Sequence, residues 1–458
     1  MDTTKNTGEK QRDQEKIFRE YPVWKAIFAM ALPAMITMLV MILYNMADTF
    51  FISRLGDDSL VAAVSVVGPV FSIIMAVGSM LGGGSCVLIA RTLGEGQKED
   101  LRRYSSLSFW GSLLFGVIFT GIILAGQSPI LSFLGSNEEF ITPAREYLLV
   151  LALGAPFMVC SATMGNTIRA TGAVKESMIG NLLGTAVNFG LDPLLILALG
   201  LGVKGAAIAT VAGNALSVFY YVYMVQKKSP GLSISPKVAL KRPSDLFKIL
   251  SLGFPNLVST GLSAISQTFS NRLLVAYGTS AVAAMAAAGK STMIIAMIQM
   301  GLCIGVQPLL SYSHGAGDHA RLGETLRKLL SLTVSMGTVL SLVIFFCRNG
   351  FIGLFLPTGD SFDLALTMIQ IMLISGPFFG IFYVGSSYLQ GTGKAALATL
   401  VSTLRQGVIF IPCLFIMNHF WGITGNVCAN LAADVMSSVI SGGIAMWVYR
   451  KSKKASCI

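Results

Sequence analysis

The chain has 458 residues, 53% hydrophobic and 12% charged, with a formal net charge of +11 and a mean hydropathy of +0.70. A soluble domain carries about 25% charged residues, so a water-soluble fold is excluded. Apolar runs long enough to cross a bilayer recur along the whole length, without the strand-like alternation of an outer-membrane barrel. The pattern predicts an all-α polytopic membrane protein.

In chain order, residues 1–25 read as a polar cytoplasmic tail rather than a signal peptide, since no early apolar region or cleavage site is seen. Six spans follow at 26–53, 60–90, 106–133, 146–166, 178–199 and 205–226, together an N-terminal lobe over 26–226. The segment 227–248 contains three prolines and no apolar run, and reads as a cytoplasmic linker. Six more spans, at 249–276, 281–312, 329–347, 361–387, 396–418 and 424–448, make a C-terminal lobe over 249–448. Residues 449–458 read as a second cytoplasmic tail.

Of the 33 Lys and Arg, 26 fall in the two tails and the even-numbered loops. Only Arg54, Arg145, Lys204 and Arg348 lie in odd-numbered loops. The positive-inside rule therefore predicts a multi-pass protein of the cell membrane with both termini in the cytoplasm. The basicity is that of topology, so no nucleic-acid partner is expected. The seven cysteines are scattered without a CxxC pair and read as small buried hydrophobes.

The two sets of six spans repeat one another. Pro33 and Gly56 recur as Pro255 and Gly278, and Gly68, Gly84, Gly94 and Gly96 recur as Gly289, Gly305, Gly315 and Gly317. The pair Thr171-Gly172 returns as Thr392-Gly393, and "GVKGAAIAT" at 202–210 returns as "GITGNVCAN" at 422–430. Because six is even, both halves enter the membrane from the same side. The prediction is two six-helix bundles related by a pseudo-twofold axis along the membrane normal. A substrate site at their interface, reached by rocking of the lobes, follows from that plan.

Few ionisable residues lie within spans. Asp48 lies near the end of span 1, with Asn45 three residues before it on the same face. Asp192 lies in span 5 in "NFGLDPLLILALG", with Asn188 one turn earlier and Pro193 directly after. A carboxylate at the centre of a span costs roughly 2.5–3.5 kcal/mol on insertion scales, so an acid, an amide and a helix breaker together mark a functional site. Pro193 also lacks the N–H that would donate to the carbonyl of Phe189 in a regular helix. Asp434 in span 12 and the cations Arg272, Lys290 and Arg405 read better as charges that pair with a neighbouring helix or reach an interface. The repeat positions matching Asp48 and Asp192 fall near Ser270 and Cys413, so an ion site made by the two acids belongs to the first half alone.

No enzyme signature competes. His314, His319 and His419 lack HExxH or metal spacing. "GGGS" at 82–85 lacks the strand and the Lys of a phosphate loop and reads as close helix packing. No polar stretch is long enough for a nucleotide-binding domain. A secondary transporter remains.

"LPAMITMLVMILYNMADTFFISRLG", "RTLGEGQKEDLRR", "NTIRATG" and "NFGLDPLLI…GVKGAAIAT" resemble the multidrug and toxic compound extrusion (MATE) family over residues 30–450 or so, nearest its DinF-like and MepA-like bacterial branch. The resemblance implies a V of two six-helix bundles and secondary active export of lipophilic, often cationic, organic compounds against H⁺ or Na⁺. It also implies an ion-coupling site matching Asp48, Asn188, Asp192 and Thr210, with Na⁺ at that site as the one metal to consider, and a bending proline matching Pro33. Asn45 and Asp434 are secondary candidates. NorM-type acids of spans 7 and 10 are missing, since span 7 offers only Asn271 and Arg272 and span 10 has only Asp363 at its edge. The expected partners are small organic substrates and the lipid bilayer, and a monomer is expected. The rival reading is a flippase of a lipid-linked precursor, whose cavity would need cations such as Arg272, Lys290 and Arg405 for phosphate.

Overall fold

The computed structural model describes residues 16–53, 58–134, 141–229, 231–356 and 359–455, and the side chains of these except 43–53, 58–59, 61–62, 133, 228 and 454–455. The described residues form helices and no strands. In lipid every backbone polar group must be satisfied inside the segment, which only helices and closed barrels achieve. The membrane-length helices are α1 (Val23–Ser53), α2 (Asp58–Glu95), α3 (Lys98–Ala125), α4 (Ile141–Arg169), α5 (Val174–Ala198) and α6 (Gly202–Lys228). In the second half they are α7 (Asp245–Val275), α8 (Thr279–Gly315), α9 (His319–Phe346), α10 (Asp360–Gly391) and one long run, Ala395–Lys453.

Eleven helices among the described residues are thus long and apolar enough to span, against twelve expected spans. The last run explains the difference. Its 59 residues would measure roughly 90 Å at about 1.5 Å per residue, about three bilayer cores. It is interrupted at Gly422, with φ 58° and ψ −132°, into α11 before that residue and α12 after it. A second difference lies in the third span, expected to reach residue 133. The helix stops at Ala125, where Gly126 takes φ −111° and ψ 17°, and a separate short helix, Gln127–Phe133, follows.

The repeat glycines sit at matched turns. Gly96 and Gly317 (φ 74° and 70°), Gly172 and Gly393 (87° and 79°), and Gly202 and Gly422 (53° and 58°) all take left-handed backbone, which a side chain disfavours. Gly84 serves a different end. A Cβ there would lie 1.8 Å from the Ile249 carbonyl oxygen, and one on Gly253 would lie 1.7 Å from that of Met80. Helices α2 and α7 therefore touch backbone to backbone.

The chain divides into two compact units, 1–21 with 36–257, and 22–35 with 258–458. These do not follow the lobe boundaries read from the sequence. The start of α1 packs within the second unit, and the start of α7 within the first. The α2–α7 contact just described accounts for the latter, and Gly305 of α8, whose Cβ would lie 2.7 Å from the Met30 carbonyl, for the former.

In the first unit α4 is the central helix, touching α2, α3 and α6. Its core face carries Leu151, Ala155, Met158, Val159 and Met164, all fully buried. The linker is tied along α3: Ser105 Oγ accepts from Ser233 N at 2.9 Å, Trp110 Nε1 donates to the Ile234 carbonyl at 3.0 Å, and Arg103 pairs with Asp245 at 2.8 Å. In the second unit α8 packs on α9 and α10, and α10 also meets α12. Large apolar side chains such as Leu114, Val117 and Ile122 on α3, or Val439 and Met446 on α12, face outward, as lipid permits.

Candidate ion-coupling site in the first unit

Antiparallel helices α5 and α6 are joined by a ladder of polar contacts that ends at the candidate site. At one end Tyr221, fully buried, donates its hydroxyl to the Ser177 carbonyl at 2.9 Å and accepts from Asn181 Nδ2 at 3.2 Å. One turn along, Ser217 Oγ donates to the Gly180 carbonyl at 2.9 Å. The helices then close most tightly, since a Cβ on Gly213 would lie 2.4 Å from the Gly184 carbonyl oxygen. Immediately beyond this crossing Asn188 Nδ2 donates to Thr210 Oγ1 at 3.2 Å. The positions 177, 181, 184, 188 and 192 advance by three or four residues, so they form one stripe of α5. The seam joins neighbouring helices rung by rung, which sets where the amide and the hydroxyl sit.

Asp192 is the last residue of that stripe and is fully buried. It closes the α-helical part of α5, and Pro193–Ala198 form a π-turn, with Leu199 N donating to the Leu194 carbonyl at 2.9 Å. A proline lacks the N–H that would continue the α-helical ladder, and π-turns gather at functional positions. Asn188 and Thr210 are 3% and 5% exposed, so amide, hydroxyl and carboxylate all lie out of water's reach. Asn188 Oδ1 is buried without a hydrogen-bond partner among the described residues. The site thus offers a carboxylate, an amide oxygen whose capacity is unused, and a hydroxyl oxygen: hard donors suited to a proton or a small monovalent cation.

The structure brings Asn188 and Thr210 together and sets Asp192 on the same stripe. Asp48 and Asn45 lie in α1 outside the residues whose side chains are described, and Gly56 lies outside the described residues. Pro33 is inside α1 and buried. Asp434 lies elsewhere, in the second unit, where Arg405 Nε donates to its Oδ1 at 2.9 Å. Ser270, the repeat counterpart of Asp48, is buried and donates to Asn426 Oδ1 at 2.9 Å, a neutral pair between α7 and α12. Arg272 and Lys290 are exposed. No cluster of three metal-ligating side chains occurs among the described residues.

The MatE family model matches residues 33–194 and again 253–416. The chain belongs to the MatE family. The two matched stretches begin 220 residues apart and end 222 apart, the spacing of the internal repeat. Among curated relatives, the multidrug export protein MepA of Staphylococcus aureus (strain MSSA476) is 30% identical over 427 residues, 93% of this chain and 94% of that protein. Among solved structures, an outward-facing conformation of a multidrug resistance MATE family transporter of the MOP superfamily superposes with a TM-score of 0.91. It is 24% identical, over 96% of this chain and 98% of that one. A MATE in the straight conformation superposes at 0.87 with 25% identity, over 96% and 98%. This MatE-family chain is accordingly a multi-pass membrane protein of twelve-helix plan.

Two features escaped the sequence reading, one in this site and one in the second unit. The Ser177–Tyr221–Asn181 and Gly180–Ser217 rungs were not foreseen, although polar residues at helical spacing on both spans are their signature. The partner of Asp434 was also open, since 29 residues separate it from Arg405 and nothing local links them.

Proposed function

We propose that this MatE-family efflux transporter is a secondary active multidrug exporter, antiporting lipophilic and cationic organic compounds against H⁺ or Na⁺. The relatives' export of multiple drugs supports the substrate class. The observation that carries the coupling is the fully buried Asp192 beside the Asn188–Thr210 pair, at the point where α5 breaks. Charge on a fully buried carboxylate is costly, and binding a proton or a cation there lowers that cost. Asp48 is assigned as the second acid of the site, and two carboxylates in one dry site cannot both ionise cheaply. Ion occupancy then biases the lobes only in so far as it favours one arrangement over the other.

Pro33 is assigned as the bending point of α1. It stands two residues before the chain passes from one compact unit to the other, and Pro255 stands two residues before the matching passage in α7. In this reading the lobes are 26–226 and 249–448, related by an axis along the membrane normal. Both termini and the linker lie in the cytoplasm, and a monomer in the cell membrane carries out the cycle. The flippase reading loses one of its three cations, since Arg405 is already neutralised by Asp434.

Vesicles holding the purified protein and a fluorescent organic cation, with H⁺ and Na⁺ gradients imposed separately, test the coupling. Asp192→Asn keeps the shape and removes the charge, so coupled efflux should fall at least ten-fold under the productive gradient while the protein elutes and melts as the wild type does. Uphill efflux at the wild-type rate by a normally folded Asp192→Asn variant would remove this carboxylate from the coupling site.

A further inference from the structure

The second unit has its own inward charges, Asp434 buried and Arg405 largely so, and their surroundings are those of a ligand site. Asp434 of α12 and Arg405 of α11 have side chains only 11% and 13% exposed, and Arg405 Nε lies 2.9 Å from Asp434 Oδ1. The guanidinium carbon is 5.2, 4.6 and 5.6 Å from the ring centroids of Phe379, Phe382 and Tyr383 on α10. Ser375 lies beside the same carboxylate. Two helices depart from α geometry here: Leu404–Ile409 is a π-turn carrying Arg405, and Leu373–Ser375 is a 3₁₀ turn ending at Ser375. Irregular backbone at membrane depth is tolerated where protein or a site surrounds it.

A carboxylate beneath several aromatic faces is the chemistry that recognises guanidinium and other organic cations. Removing two charges from water is costly, and only close pairing with further contacts offsets it. An ion pair that served packing alone would do as well with apolar side chains. The repeat sharpens the contrast, because the counterpart of Arg405 in the first half falls at Gly184, the tight α5–α6 crossing, where no cation is present. The first unit has an amide oxygen to spare and no tethered cation. The second has a cation built in.

We propose that the second unit contains an organic-cation site, formed by Asp434 with Phe379, Phe382 and Tyr383, which the chain keeps filled with its own Arg405. Its free ligand class is guanidinium and small alkylguanidinium or ammonium ions, which enter only when Arg405 is withdrawn. The consequence for transport rests on the coupling reading above: the second half stays charge-balanced throughout the cycle, and ion exchange is confined to the first. The site itself does not depend on that reading.

The test therefore reads stability rather than transport, on the purified full chain in detergent. Arg405→Ala should melt below the wild type and recover saturably on titration with methylguanidinium. Wild type, Asp434→Asn and the double Arg405→Ala/Asp434→Asn should not respond. Adding Phe382→Leu to Arg405→Ala should weaken the half-saturating concentration about ten-fold. Equal recovery with Na⁺ or K⁺, or none with methylguanidinium, overturns the proposal. Should Arg405→Ala fail to fold, Arg405→Gln, uncharged and of similar length, takes its place in the titration. If neither single variant folds, folding of the double supports a carboxylate that demands a cation, and failure of the double shows a packing element and overturns the site. A wild-type coupling assay with Asp192→Asn leaves every one of these outcomes unchanged, so the two proposals fail separately.

Discussion

At the scale of single residues, the glycines divide by what surrounds them. Gly84 and Gly68 lie on the same helix and both belong to the repeat, yet only Gly84 meets another backbone, at 1.8 Å from the Ile249 carbonyl oxygen to a Cβ. Nothing lies within 4 Å of a Cβ on Gly68. Gly84→Ala should therefore force α2 and α7 apart at a cost of about 3 kcal/mol or more, with loss of most folded protein by size-exclusion chromatography. Gly68→Ala should be tolerated or stabilise slightly, since alanine is the better helix former by up to about 1 kcal/mol. Equal yields of the two variants would contradict the close α2–α7 contact. Sequence showed that both glycines recur. It did not distinguish them, because the colliding carbonyl is 165 positions away in the chain.

Helices and their joints form the next scale. The junction between α11 and α12 depends on Gly422, whose φ of 58° with ψ of −132° is open essentially to glycine alone. A Cβ there would find only ordinary contact, 3.7 Å from the Tyr277 hydroxyl, so Gly422→Ala isolates the backbone effect. It should cost about 1–3 kcal/mol, read as a lower melting temperature, while Gly443→Ala, with an open Cβ position, should not. An unchanged melting temperature for Gly422→Ala would mean that the helix runs straight through. The repeat had already paired "GVKG" with "GITG", and a turn between spans 11 and 12 was readable from it. The π-turns at Pro193–Ala198 and Leu404–Ile409 were not. Proline announces the first, whereas "LRQGVI" contains no local breaker beyond Gly407, and its departure from α geometry accompanies the tertiary contacts of Arg405.

For the whole molecule, topology is the quantity to test. The reading places 227–248 in the cytoplasm, and the structure ties this segment to α3 through Ser105, Trp110 and Arg103. Cysteines introduced at the exposed Lys241 or Arg242, in a background without native cysteines, should resist an impermeant maleimide from outside and react in inverted vesicles. Labelling from outside would reverse the orientation and the charge count with it.

The sequence by itself determined the class, the number of crossings and the duplication. Each follows from short-range rules: lipid forces apolar helices, each crossing needs a run long enough for the bilayer core, and a duplicated chain repeats its turn glycines at a constant offset. It also singled out Asp192 and Asn188, because a polar stripe at helical spacing in an apolar span is conspicuous wherever the helix packs. Only the tertiary structure decided what faces that stripe: the Tyr221 and Ser217 rungs, the Gly184–Gly213 crossing, and the placing of Thr210 against Asn188. Only it joined Arg405 to Asp434 beneath three rings of α10, and assigned the first turns of α1 and α7 to the units they pack in. Those pairings depend on which helices become neighbours and at what depth, and that is fixed by the collective packing of the bundle rather than by any local run of residues.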